Sequence, residues 1–204
     1  MAQFPLKNGL IQGTLDGTPT SGTLNLASIT LTLGTLASPL SKASGGTGST
    51  TWGQVAIFWD QKANSTNGDA ITANTWTKVT LNTEHCDTGN AFSVSSSVIT
   101  VATGGGGTYL VRCFVPLYGT SSSLSRLRRT NNTATTLAVG SSAYTWNSNY
   151  VTTASEITAR VTLSVGDTLE LQCWAGTAGS IGYSSAGMAD GEARIYSRIE
   201  FTRE

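Results

Sequence analysis

The sequence has few charged residues and no excess of either sign. Of its 204 residues, 12% are Asp, Glu, Lys or Arg, and 12 basic side chains balance 12 acidic ones. The usual charged fraction of a globular protein is about 25%. Without a basic surface field there is nothing to attract a phosphate backbone, so the composition argues against nucleic-acid binding. A neutral surface also does little to oppose self-association, which favours a chain that functions inside a stable assembly.

Cysteine and histidine are scarce as well. The three cysteines, Cys86, Cys113 and Cys173, are odd in number and form no Cys-x-x-Cys pair, so a disulfide framework is not predicted. Cys113 and Cys173 each alternate in phase with apolar neighbours, which predicts buried thiols, and a bridge between these two stays open. The single histidine, His85, adjoins Cys86, but neighbours on a strand point to opposite faces. We therefore predict a loop end at His85 rather than a metal or thiol site.

The sequence also lacks long apolar runs. None approaches the roughly 18 residues that a membrane-spanning helix requires. Residues 1–7 lack the basic segment and apolar run of a secretory signal peptide. We accordingly expect neither membrane insertion nor a signal peptide.

Motifs of the common enzyme classes are absent. No Gly-x-Ser-x-Gly marks a nucleophile elbow, and the glycine run 104–107 lacks the Gly-Lys-Ser/Thr ending of a phosphate loop. Glycan cleavage requires two carboxyl groups about 5 to 10 Å apart, and the acidic residues form no evident pair. Four aspartates that could lie on loops follow no calcium-loop signature: Asp60, Asp69, Asp87 and Asp167. The sequence therefore predicts no catalytic residue, no cofactor and no bound metal.

Aromatic residues divide the chain into two parts. Phe4 is the only aromatic before Trp52, whereas all the tryptophans and tyrosines come from Trp52 onward. Residues 1–40 alternate apolar side chains with Thr or Asn, which predicts short strands with one apolar edge. Such strands bury little alone, so we expect an arm that trimerises or anchors on a partner through Phe4, Leu6 and Leu10. An arm packed on its own domain is the alternative.

The remainder predicts a linker followed by a β-sandwich. Residues 41–54, with their Gly-Gly-Thr-Gly run, have the composition of a flexible linker. Residues 55–204 contain about eight to ten short segments of strand pattern and no helical period. Segments 156–163 and 168–174 flank a Gly-Asp turn and predict a hairpin. On the last segment, 193–202, alternation places Ile195, Ile199 and Phe201 on one face.

The order of these segments resembles that of a known family. The segments are GGTGSTT (45–51), WTKVTLNTE (76–84), VITVATGGGGTYLVRCFVP (98–116), RLRRTNNTATTLAVG (126–140), EITARVTLSVGDTLELQCW (156–174) and ARIYSRIEFTRE (193–204). The first resembles the short linker that joins a shaft or anchor to a distal domain in phage tail-fibre proteins. The other five together resemble the C-terminal knobs of bacteriophage fibre proteins, which belong to the C1q/TNF-like jelly-roll family. The resemblance covers 55–204.

The resemblance implies a fold and an assembly. The fold would be an all-β, ten-stranded C1q/TNF-like jelly-roll sandwich preceded by the extended β-rich N-terminal arm. Three copies would form a homotrimer, with the last strand and the Tyr109 strand near the axis. Five residues become candidate core or trimer-interface positions: Tyr109, Val111, Ile195, Ile199 and Phe201.

The resemblance also implies a function. The chain would be a virion protein, a tail fibre, head fibre or decoration made in the host cytoplasm, whose arm binds other virion proteins and whose knob adheres to a host-surface glycan or protein. Two polar aromatic segments have the composition of recognition loops; their candidate residues are Tyr144, Trp146, Asn147, Asn149, Tyr150 and Tyr183. The alternatives are a purely structural adaptor or capsid-stabilising protein, and a fibre tip that cleaves glycans.

Overall fold

A computed structural model describes residues 53–131, 133–144, 152–183 and 191–204, and the backbone of 6–7 and 10–11. Two units separate between Ser38 and Pro39, and each is described by itself. In the first unit, strands β1 (Leu6–Lys7) and β2 (Leu10–Ile11) pair antiparallel, with Leu6 opposite Ile11. The anchor candidate Phe4 and most of the linker lie outside the described residues. The boundaries at 40 and 54 stay predictions.

The described part of the second unit contains fourteen strands and no helix. The strands are β3 (Val55–Lys62), β4 (Ala70–Ile71), β5 (Thr77–Lys78), β6 (Thr83–Asp87), β7 (Phe92–Ser95), β8 (Val98–Val101), β9 (Gly107–Tyr118), β10 (Ser122–Arg129), β11 (Thr135–Val139), β12 (Ala143–Tyr144), β13 (Thr152–Leu163), β14 (Thr168–Ala175), β15 (Gly179–Ile181) and β16 (Arg194–Arg203).

These strands form two antiparallel sheets. Sheet I has the order β13-β9-β16-β3-β6. Because β13 pairs along the whole of β9, the short strand β15 occupies the other edge of β9 beyond β16, and β4 pairs with β15. Sheet II has the order β11-β10-β14-β8-β7, with β12 beside β10 and β5 beside β14. The sandwich predicted from the strand pattern is confirmed.

Period-2 alternation explains how β9 builds the core. Tyr109, Val111 and Val115 are buried between the sheets, whereas Arg112 and Phe114 on the same strand are exposed. Such alternation is typical of a strand with one face in the core. Aromatic rings fill the centre: Phe92 stacks on Phe201 with ring centroids 4.4 Å apart and meets Tyr109 edge-on at 5.2 Å.

The predicted hairpin between 156–163 and 168–174 is wrong. These segments become β13 and β14, which lie in different sheets: β13 pairs with β9, and β14 pairs with β10, β8 and β5. The turn between them therefore crosses from sheet I to sheet II. A turn signal specifies only that the chain reverses, and partners remote in sequence decide which ladder each strand joins.

A β-bulge in β16 overturns the predicted placement of Ile195. The pairing of β16 with β3 shifts register between Ile195 and Arg198. Tyr196 and Ser197 are consecutive and both buried, so alternation restarts, and Ile195 is 48% exposed while Ile199 and Phe201 are fully buried. Ile195 thus does not share a face with the other two, because the bulge inserts one extra residue into the strand.

The sandwich has two distinct ends, because its long strands run from one to the other. At the proximal end the chain enters β3 after Gln54, and the Arg203 guanidinium donates to the Gln54 side chain (2.8 Å) and to Gly104 O (2.8 Å). At the distal end β9 finishes at Tyr118. The 12 residues of β9 span roughly 40 Å between these ends.

Candidate functional site: the distal end and the outer face of sheet I

Exposed tyrosines gather at the distal end. Tyr183 is 43% exposed and stacks on Tyr118, with ring centroids 4.2 Å apart and planes 15° from parallel. Tyr144 is 59% exposed and lies opposite Ser122, four residues after Tyr118. Two predicted recognition residues, Tyr144 and Tyr183, therefore lie at the same end of the sandwich. The other four, Trp146, Asn147, Asn149 and Tyr150, lie outside the described residues.

The backbone before Tyr183 is fixed by a close approach. Gly182 has a φ of +74°, and a Cβ there would lie 2.1 Å from Cδ1 of Tyr196, so a larger residue does not fit. The Gly182 N–H donates to Pro116 O at 2.9 Å, and the Tyr196 hydroxyl donates to Thr66 O. Tyr183 is therefore presented from a tightly packed turn, as a rigid recognition side chain requires.

Sequence reasoning missed Tyr118 because it is the last residue of a strand that otherwise supplies the core. Its position two residues beyond Pro116, out of phase with Leu117 and Val115, indicates that it faces outward. The alternation along β9 does not predict its stacking partner, since Tyr183 lies after a different strand, β15.

A buried charge cluster lies beside this end. Asp60 is fully buried, and Lys62 Nζ lies 3.2 Å from Asp60 Oδ1 and 3.0 Å from Asp69 Oδ1. Burial raises the pKa of Asp60, although Lys62 opposes the shift. Burial would also raise the pKa of Asp69, but hydrogen bonds from Thr80 and Lys62 outweigh it and the pKa is lowered. The Lys62 ammonium thus already pairs with both of the carboxylates that the sequence offered as calcium ligands.

The other two aspartates weighed as calcium ligands are also engaged. Asp87 accepts hydrogen bonds from the backbone N–H groups of Gly89 (3.2 Å) and Phe92 (2.8 Å). Asp167 pairs with Arg129 at 2.9 Å. Within the described ranges, no group of three or more His, Cys, Asp or Glu side chains could hold a metal ion.

Two of the thiols are buried in the core, and the histidine packs against a tryptophan. Cys113 and Cys173 are buried and free, so the bridge left open by the sequence does not form here. Burial raises the pKa of Cys113, and it raises that of Cys173 to about 12. His85 lies inside β6, so the predicted loop end is wrong, and its ring lies 4.1 Å from that of Trp59.

The predicted core or interface positions separate into two groups. Tyr109, Val111, Ile199 and Phe201 are at most 1% exposed and lie between the sheets of a single chain. Ile195 is the exposed exception described above. Side chains at the alternate positions of the same strands form the outer face of sheet I instead.

The outer face of sheet I mixes apolar and charged side chains in register. Glu156 on β13 lies opposite Phe114 on β9, Phe114 lies opposite Arg198 on β16, and Arg198 lies opposite Trp59 on β3. In the next row, Arg112 lies opposite Glu200, with 3.9 Å between their charged groups. Phe114 is 37% exposed beside a shallow depression that Arg112, Glu156 and Arg198 also line. The sequence contained a signal for this face, since its residues alternate with the buried residues of the same strands.

No helix long and apolar enough to cross a membrane occurs among the described residues.

No protein-family model matches the sequence, and no curated protein matches it either. Solved structures do match. Murine APRIL, solved at pH 5.0, aligns with a TM-score of 0.53 at 13% identity, over 74% of this chain and 99% of APRIL. The PRD1 vertex protein P5 aligns with a TM-score of 0.50 at 16% identity, over 74% of this chain and 96% of P5. The second unit therefore has the TNF/C1q-like jelly-roll fold, as the resemblance implied. The globular domain of zebrafish complement 1qA also aligns, with a TM-score of 0.45 at 17% identity, over 72% of this chain and 94% of that domain.

Proposed function

We propose that the chain is a structural protein of a bacteriophage particle, a homotrimeric tail-fibre, head-fibre or decoration protein whose jelly-roll domain adheres to the host surface. Residues 1–40 attach it to other virion proteins, 41–54 form the linker, and 55–204 form the displayed knob. No chemical step is assigned to it.

The observation that carries this proposal is that the chain enters the sandwich at one end and exposes its tyrosines at the other. The chain enters β3 at the proximal end, where Arg203 contacts Gln54, whereas Tyr144 and Tyr183 are exposed at the distal end. Roughly 40 Å of β-strand separates the two. A domain attached to a particle through its N-terminal side would therefore present its tyrosines outward. Tyrosines are well suited to recognition, because they supply large contact area at a low cost in conformational entropy.

The fold supports the same assignment. One solved structure with this fold is a vertex protein of phage PRD1. The similarity at 16% identity concerns the fold. Displaying three copies of a weak site on one axis would raise avidity through effective concentration, by as much as about 10² to 10⁴-fold.

Competition for host cells tests the adhesive role. Purified protein should block adsorption of the parent phage to its host, and Tyr144→Ala combined with Tyr183→Ala should weaken that block at least about tenfold. Val165→Ala is the matched control, because Val165 is equally exposed, at 56%, but lies at the proximal end. If the double variant blocks adsorption as well as Val165→Ala does, the distal tyrosines do not adhere. Loss of particle stability without loss of adsorption would indicate the structural-adaptor alternative.

A further inference from the structure

Two opposite charges on the outer face of sheet I have no partner within the described part of the chain. Arg198 and Glu156 are both exposed, and neither side chain forms an ion pair or hydrogen bond with another described residue. They occupy one cross-strand row, on either side of Phe114. Neighbouring strands are about 4.8 Å apart, so these two side chains start roughly 10 Å from each other. This separation and the intervening ring keep them from pairing within one chain.

The two charges also occupy different positions in the sheet. Arg198 is on β16, which lies between β9 and β3 near the sheet centre. Glu156 is on β13, which pairs in sheet I only with β9 among the described strands and is outermost on that side. Each copy thus carries a basic group at the centre of the face and an acidic group at its edge.

We propose that this row is the contact between copies, with Glu156 at the edge of one copy paired to Arg198 at the centre of the next. This inference rests on the homotrimer of the proposed function and names the residues that close it. Phe114 and Trp59 flank Arg198, so seating a neighbour's edge there would bury apolar surface around the ion pair. In the homotrimer each copy gives its Glu156 edge to one neighbour and receives the other neighbour's edge at Arg198, so the contact is head-to-tail and three such contacts close the ring.

Neighbouring charges favour a second copy over an unrelated partner. Arg112 already pairs with Glu200 and Arg160 with Glu204, so the basic and acidic groups of the adjacent rows are compensated. The unpaired charges that remain in the Phe114 row are of opposite sign and equal number. Further copies of the same surface compensate both charges, Glu156 through one neighbour and Arg198 through the other.

Charge reversal tests the pair by sedimentation of the full chain across a range of concentrations. The unaltered protein is expected at three times the 21.2 kDa chain mass. Arg198→Glu and Glu156→Arg should each raise the concentration at which the ring dissociates by at least about tenfold, because each places like charges together. The double variant, Arg198→Glu with Glu156→Arg, restores opposite charges at every contact and should recover the ring. All three variants change only exposed side chains, and circular dichroism confirms that each variant is folded.

Arg128→Glu is the matched control, because Arg128 is on β10 in the other sheet. If the unaltered chain is a trimer and both single reversals behave like Arg128→Glu, this pairing is wrong and the proposed homotrimer stands. If the unaltered chain is a monomer at every concentration, the homotrimer is wrong and the pairing falls with it. A dimer that the single reversals dissociate and the double reversal restores upholds the pair and overturns the trimer.

Discussion

At the scale of single residues, the same backbone conformation has different consequences in different surroundings. Gly166 and Gly182 both have positive φ, at +85° and +74°. A Cβ at Gly166 meets nothing within 4 Å, whereas at Gly182 it would lie 2.1 Å from the Tyr196 ring. The two glycines therefore separate the cost of left-handed backbone from the cost of a steric clash.

We expect Gly166→Ala to lower the free energy of unfolding by about 1 kcal/mol through backbone strain alone. Gly182→Ala should lower it by about 1 to 3 kcal/mol more, because the buried Tyr196 ring must also move. Urea unfolding at a fixed protein concentration measures both. Equal losses in the two variants would mean that the Tyr196 ring is free to shift.

Thiol reactivity is a second prediction at this scale. Cys113 and Cys173 are at most 4% exposed and burial raises the pKa of each, so they should not react with a thiol reagent at pH 8, whereas half-buried Cys86 should. Colorimetric titration should give one thiol per chain in the native protein and three after unfolding without reductant. A single thiol in the unfolded protein would reveal a Cys113–Cys173 bridge. Cys86→Ser, as a control, should abolish the native signal.

At the scale of elements, the β16 bulge separates two isoleucines of one strand. Ile199 is fully buried in the sandwich, and Ile195, on the other side of the bulge, is 48% exposed. Unbroken alternation would place both in the core.

Ile199→Ala should therefore destabilise the protein by about 2 to 5 kcal/mol, as truncating a buried side chain leaves a cavity. Ile195→Ala should change the free energy of unfolding by no more than about 0.5 kcal/mol. Thermal or urea unfolding of the two variants compares the same Ile→Ala substitution at a buried and at an exposed position. A large loss at Ile195 would show that its exposed side chain is covered in the assembled protein.

Local pattern predicted the strands better than it predicted their partners. The alternation of Tyr109, Val111 and Val115 gave the correct inward face of β9, because burial of one face directly imposes period 2. The bulge after Ile195 was not predicted, since neither Tyr196 nor Ser197 is a residue type that marks an extra residue in a strand. Pairing of β13 with β9 rather than β14 depends on contacts between residues about 45 apart in sequence, which a turn signal does not contain. The outer-face row from Glu156 to Trp59 likewise requires the order of four strands.

At the scale of the whole molecule, the described core lies entirely within the second unit. Each buried hydrophobic residue of the sandwich falls between Ala56 and Phe201. The outer-face row that we assign to the contact between copies falls in the same range.

A chain shortened to begin at Trp52 should therefore keep its fold and the oligomeric state of the full protein. Sedimentation of both forms under the same conditions checks this. If the full chain is a trimer and the shortened chain is a monomer, residues 1–51 are instead the segment that holds the trimer together. The melting temperature of the shortened chain serves as the control for its folding.

The pairing of β3 has a mechanical consequence. β3 is the strand by which the chain enters the sandwich, and it is hydrogen-bonded to β16 on one side and β6 on the other. A pull between the proximal attachment and a distally bound host runs along β3 and across its ladders, because antiparallel hydrogen bonds lie perpendicular to the strands. The bonds of both ladders then share the load in shear and must break together, instead of opening one by one like a zipper. A tether built in this way resists force most strongly in the direction in which an adhering particle would be pulled.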